Sequence, residues 1–282
     1  MKFYCKWFLV SFFLSSTMEN RDLRLLQIGN VAAVVIAVAW NALVNILPLN
    51  GVNTGVVSDS YPNLFTPPGY VFAIWGVIYA LALVFALYQV MPSQRNSEYL
   101  GRIGWLYLGS AAINVVWLLL FHYSYGFAPL YLVSTLVLLL LLVDLSAIYT
   151  RLGVGVGHTL RNVKLAVHVP MSIYLGWISV ASIAAVASAI NAMVPGIPLE
   201  TQAVGTAAML VVALALTGVM LWSRRDMVFA LVVIWAVAGI STKQVGTPII
   251  YFTALAVAAL AAAAILLTPL LRKMNWVSYY LS

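Results

Sequence analysis

Apolar residues run in long unbroken stretches along most of this chain, and polar residues gather in the short intervals between them. Eight stretches stand out, at roughly 28–48, 69–91, 103–122, 127–149, 165–189, 203–222, 227–242 and 249–270. Seven of them approach or exceed the twenty or so residues with which a helix crosses a hydrocarbon layer roughly 30 Å thick. The seventh in order, VFALVVIWAVAGISTK, is shorter and loses its apolar character at Ser241. The runs are continuous and too long for the alternating strands of an outer-membrane barrel. The pattern therefore predicts an all-α fold: a polytopic membrane helix bundle of about eight transmembrane helices.

The breaks between stretches carry their own signals. Pro67 and Pro68 in SYPNLFTPPGY lack amide protons and hold φ near the helical value, so they suit the start of a helix and not its middle. Pro170 falls inside the fifth stretch, where it predicts a kink or a carbonyl satisfied elsewhere. The glycines of LGVGVGHTLRN lack the Lys-Ser/Thr pair of a phosphate loop and follow a helix, which predicts a flexible connection.

Charge supplies an independent check on the count. Only 7% of residues are charged, against roughly 25% in a soluble domain, and the mean hydropathy is +1.02. The net charge of +7 would suggest nucleic acid in a soluble chain, but these basic residues sit in short loops. With eight crossings, thirteen of the fourteen Lys and Arg share one side, and Lys243 is the exception. By the positive-inside bias that side, which holds both termini, is cytoplasmic or its equivalent in an organelle. The start, MKFYCKWFLVSFFLSST, resembles a weak signal peptide; Arg21 and Arg24 behind it favour an uncleaved interfacial extension. The organisation expected is an N-terminal cytoplasmic or interfacial segment over 1–27, five helices over 28–190, three more over 203–270 and a tail over 271–282.

Chemistry enters through the few polar and many aromatic residues inside the spans. Phe72, Trp75 and Tyr79 lie three and four apart and share a helix face, as do Asn114 with Trp117, and Pro170 with Tyr174 and Trp177. Asn41 and Asn45 form a similar pair. Rings of this kind would stack on a flat ligand while Asn groups fix its polar edge. The plainer alternative is that Asn114 bonds a neighbouring helix, and that Trp105, Trp222, Trp276, Tyr279 and Tyr280 sit at headgroup level. Asp144 is the acidic residue well within a span and is a candidate for a proton or ion relay. Cys5 is alone, and His122, His158 and His168 are scattered without metal-ligand spacing, so no protein-built metal site is expected. No Ser/His/Asp set or carboxylate pair shares a span, which leaves hydrolase and oxidoreductase chemistry without support.

Three blocks together resemble the tryptophan-rich sensory protein family, which includes the mitochondrial translocator or peripheral benzodiazepine receptor. Phe65, Pro67, Pro68, Phe72, Trp75 and Tyr79 follow the pattern F-x-P-P-x-W-x-F-x-x-x-W-x-x-x-Y, with Tyr70 where Trp is usual. Ala112, Ile113, Asn114, Trp117 and Phe121 match the third-helix block, and Pro170, Tyr174 and Trp177 the fifth. The resemblance covers residues 28–190 and implies a five-helix bundle, often dimeric, that binds porphyrins, sterols or isoquinoline-type drugs between its helices. By that resemblance Asn41, Phe72, Trp75, Asn114, Trp117, Tyr174 and Trp177 would line the pocket. The chain departs from the pattern in three places. The loop 51–68 has no Trp, which speaks against oxidative porphyrin degradation; Ala185 replaces an Asn; and 203–270 adds three small-residue-rich spans.

The function expected is binding or sensing of a flat hydrophobic ligand, a tetrapyrrole, pigment or sterol-like lipid, with no obligatory cofactor and no catalytic residue. The alternatives are a secondary transporter that uses Asp144 and a non-catalytic subunit of a larger membrane complex. Expected partners are a hydrophobic small molecule, the lipid bilayer, and a second copy or a membrane complex, with no nucleic acid.

Overall fold

The computed structural model describes residues 20–281, and the signal-like start lies outside them. Long helices dominate. They are α1 (Asn20–Ile46), α3 (Ile74–Gln89), α5 (Leu106–Tyr123), α6 (Ala128–Leu152), α7 (Arg161–Met193), α8 (Leu199–Arg224), α9 (Met227–Lys243) and α10 (Pro248–Arg272). Between them lie the short helices α2 (Thr54–Ser60) and α4 (Glu98–Ile103), and α11 (Trp276–Leu281) follows α10. Seven of the helical segments are long and apolar enough to span a membrane, and α9 is the shorter eighth. At 1.5 Å per residue its seventeen residues reach only about 25 Å.

Local chemistry explains the helix ends. The two prolines stand outside α3; Pro68 caps a 3-10 turn, Gly69–Ala73, which feeds the helix. Pro129 and Pro248 lie in the first turns of α6 and α10, where a missing N–H costs nothing. Asp226 caps α9 by accepting the Phe229 N–H at 3.0 Å. Pro170 is accommodated by a π-helical turn over Lys164–His168, just before it. The wider turn relieves the clash a proline ring would make with the carbonyl four residues back.

Alternating direction can be read from polar ties at the two ends. At one end Asn30 at the start of α1 donates to Gln89 at the end of α3, at 2.9 Å. At the same end Tyr149 of α6 donates to Asp226 at 2.8 Å, and Lys164 at the start of α7 reaches the Tyr279 carbonyl. At the other end Ser188 of α7 donates to the Tyr61 carbonyl, Asn191 to Gln202 of α8, and Gln244 after α9 to the Leu64 carbonyl. These pairings place the two ends of α9 at opposite ends of the bundle, so the short helix runs its full depth.

Packing follows the same order. The pairs α5 with α6, α6 with α7, α8 with α10 and α9 with α10 are extensive, and α9 also lies along α7. One buried apolar cluster runs from Ala33 to Val257, through both the five-helix and the three-helix regions. Within lipid such contacts hold by dispersion and close fit, since burial from water no longer drives them. The glycine-rich connection after α6 is likewise packed: a β-carbon on Gly155 (φ +76°) would fall 1.4 Å from the Arg224 carbonyl oxygen. The expected flexible link is a tight turn against the end of α8.

Candidate functional site

Three helices, α3, α5 and α7, turn their aromatic stripes toward one another. Trp75 stacks on Trp117 with centroids 6.2 Å apart and planes 24° from parallel. It meets Tyr174 at 6.2 Å and Trp177 at 6.4 Å, both edge-on, and Phe72 closes on Trp177 at 5.6 Å. Beyond Trp117 the series continues to Phe121 at 5.5 Å. Each such pair contributes roughly 0.5–1.5 kcal/mol beyond its buried area. The 3.6-residue spacing that placed these rings on single faces is what lets them meet.

Space remains on either side of this cluster. A cavity of about 70 Å³ is lined by Phe72, Trp75, Trp117 and Trp177 together with Tyr131 and Thr135 of α6. Thr54, Ser58, Thr66 and Pro67 form its roof. A second space of about 40 Å³ lies between Asn114, Tyr174, Tyr79 and Tyr107. Both fall well below the roughly 300 Å³ at which sites for drug-sized ligands begin. The larger takes a substituent or a small molecule as it stands, and a multi-ring ligand only with the rings displaced.

Two of the residues at the larger cavity carry a buried polar atom without a partner. Trp117 and Trp177 are 7% and 2% exposed, and their indole N–H groups are buried without an acceptor. Ser134 and Thr135 donate to the Tyr131 carbonyl, the ordinary helical back-bond. An acceptor atom on a ligand would relieve two buried donors, each otherwise costing about 1–3 kcal/mol.

The seven residues expected at the site divide three ways. Phe72, Trp75, Trp117 and Trp177 line the larger cavity, and Asn114 and Tyr174 line the smaller. Asn41 lines neither; it donates to Asn114 at 3.1 Å, so the helix–helix bond weighed as the plainer reading is present. Asp144 lines neither cavity. It is half-buried on α6 facing Gly109 of α5, with one carboxylate oxygen unpartnered. His122 is structural: Nδ1 lies 2.9 Å from the Leu118 carbonyl and Nε2 3.4 Å from Thr54.

Sequence reasoning missed the roof and what holds it. Tyr61 donates to the Ser124 carbonyl and its ring packs at a tilt on Tyr131, centroids 4.1 Å apart, while Asn63 donates to Ser188 and Thr66. The same amide lies 3.5 Å from the Ala184 carbonyl of α7. Helix α9 clamps the same segment from outside. Trp235 donates to the Val71 carbonyl at 3.0 Å, Tyr70 meets Thr242 at 3.2 Å, and Gln244 holds Leu64. Gly239 lies so close that a β-carbon there would stand 2.3 Å from a Val71 methyl. Tyr70 therefore serves the α9 interface and not the cavity. The one available signal was Gly239 itself, with Tyr70 standing in place of Trp.

At the opposite end Asp226 is buried, accepting from Tyr149 and the Phe229 N–H. Burial raises its carboxyl above the usual range, and bonds from Ser172, Phe229 and Tyr149 oppose that only in part.

Fold and site together define a multi-pass membrane helix bundle with an aromatic cavity between its helices. The family model for TSPO-like proteins matches residues 27–267, and the chain belongs to that family. The match runs beyond the five-helix region through α8 and α9 into α10, so the three further helices are matched with the rest. No curated protein and no solved structure shows a significant match to the chain.

Proposed function

We propose that the protein binds a flat hydrophobic molecule, a tetrapyrrole, another pigment or a sterol-like lipid, in the aromatic cavity between α3, α5, α6 and α7. The observation that carries this reading is the pair of buried, unpartnered indole N–H groups of Trp117 and Trp177 on one aromatic-walled space. Ring stacking and apolar contact supply affinity, and the indoles select a ligand with an acceptor edge such as a carbonyl or carboxylate. Trp75 is half-buried on the larger space and packs against Tyr79 and Tyr174, which line the smaller, so its displacement would join the two. Family membership agrees with a membrane-embedded ligand-binding or transport-related role. In this reading, binding reports or relays the ligand.

The test is a titration of the purified protein with protoporphyrin, followed by the porphyrin's own absorbance. One saturable site is expected, weakened more than tenfold by Trp75→Leu. Equal affinity in wild type and Trp75→Leu would refute the assignment.

A further inference from the structure

A second site-like feature lies at the opposite end of the bundle and is independent of the aromatic cavity. An open cavity of about 840 Å³ is bounded by the start of α7, the α8–α9 connection, the end of α10 and α11. Lys164, Arg225, Lys273 and His158 line it, and no Asp or Glu does. The single ion pair among the described residues, Arg102 with Glu98, is elsewhere. Lys164 is held in place by the Tyr279 carbonyl and ring, the ring centroid 4.8 Å from Nζ. An ammonium has three donors, so capacity remains. The nearest acid, Asp226, is buried and already engaged by Tyr149 and Phe229. Three cations thus converge on one space, with no acidic side chain of the described residues lining it.

The remaining walls decide what kind of anion fits. Pro269, Leu270 and Met274 form an apolar side. It continues along α10 through Leu266, Leu267 and Leu271, which are 72%, 50% and 68% exposed. Beside it Trp276, Tyr279 and Tyr280 make a cluster of rings 5.0–6.2 Å apart, of the kind that sits at headgroup level. A free phosphate would use the cations and leave the leucine track idle. An anionic phospholipid uses both, its phosphate among the cations and its acyl chains along α10. We infer that this cavity is a binding site for the headgroup of an anionic phospholipid, which ties α7, α9, α10 and α11 together from the membrane surface.

The probe is dioctanoyl phosphatidylglycerol, added to the full chain in a nonionic detergent and counted by native mass spectrometry. A single adduct is expected, at least tenfold tighter than with dioctanoyl phosphatidylcholine. Lys164→Gln and Lys273→Gln should each weaken it about fivefold, while Arg95→Gln and Arg151→Gln, cations outside the cavity, leave it unchanged. Lys164, though it opens the π-helical turn, has right-handed φ and ψ of −57° and −50°, so its variant remains informative if the left-handed Lys273 site fails to fold when changed. Equal binding of the two lipids, equal loss in the outside variants, or displacement by equimolar inorganic phosphate would each overturn the site.

Discussion

The aromatic meeting of α3, α5 and α7 and the seam between α8 and α10 are both apolar helix contacts, yet they pack by different means. In the first, large rings meet edge to face, and flat plates crossing at 66–84° leave gaps beside them. In the second, Ala203, Thr206, Leu210, Ala213, Thr217 and Leu221 of α8 and Ala254, Val257, Ala261 and Ile265 of α10 are all buried, three or four residues apart. Small side chains at that spacing bring two backbones together. The comparison teaches that one bundle separates its tasks: rings make space, and alanines close it. Helix α9 is the joint, because it packs on α7 and α10 and also grips the Pro67–Val71 segment over the cavity.

Breaking the joint should have the largest effect. Gly239→Val places branched carbons where even one β-carbon meets Val71, and an overpacked core costs about 3 kcal/mol at the upper end of the usual range. The expected readout is a clear fall in the thermal midpoint in detergent, together with weakened porphyrin binding as the roof loosens. Next in size is the ring itself: Trp75→Leu keeps apolar bulk, so it should spare the fold while weakening porphyrin binding more than tenfold. Trp117→Phe sharpens the comparison further by removing one N–H and little area. A hydrogen bond contributes about 0.5–1.5 kcal/mol, which predicts a two- to tenfold loss in the same titration.

Two smaller effects probe the far end and the seam. Because burial raises the Asp226 carboxyl, folding favours its protonated form. Its contribution is therefore complete below the ordinary carboxylate range and lost as pH rises through the raised value. Thermal midpoints of wild type should fall relative to Asp226→Asn over that interval, and parallel curves would show that the carboxylate is not desolvated. Gly218→Ala on α8, where nothing lies within 4 Å of the new methyl, should stay within about 0.5 kcal/mol of wild type.

Much of the fold was legible in the sequence. Unbroken apolar runs marked the spans, and the charge partition required the weak seventh stretch, which is α9. The ring stripes were legible because a helix repeats every 3.6 residues, and four of the seven expected residues share one cavity. What periodicity does not carry is the identity of the surface opposite a face. Asn41 and Asn114, both expected at the ligand, bond each other across α1 and α5, and only Asn114 also lines a cavity, the smaller one. Tyr131 and Thr135 carried no family pattern, yet α6 turns them into the cavity. Asp226 falls in the short interval after the sixth stretch and carried no signal of its own; it is buried where Tyr149 of α6 meets the α8–α9 turn. Residues 203–270 looked like an addition to a five-helix bundle. Gly239 and Trp235 fasten them to the segment of that bundle that holds the paired prolines and Val71.

The central claim, that indole groups from α5 and α7 await an acceptor inside one cavity, has a direct spectroscopic handle. The chain contains nine tryptophans, and each gives one indole N–H resonance when labelled with nitrogen-15. Adding protoporphyrin to the labelled protein should move the Trp117 and Trp177 resonances furthest, assigned through their Phe variants, and leave Trp222 and Trp276 in place. Porphyrin that binds with those two resonances unmoved would contradict the account.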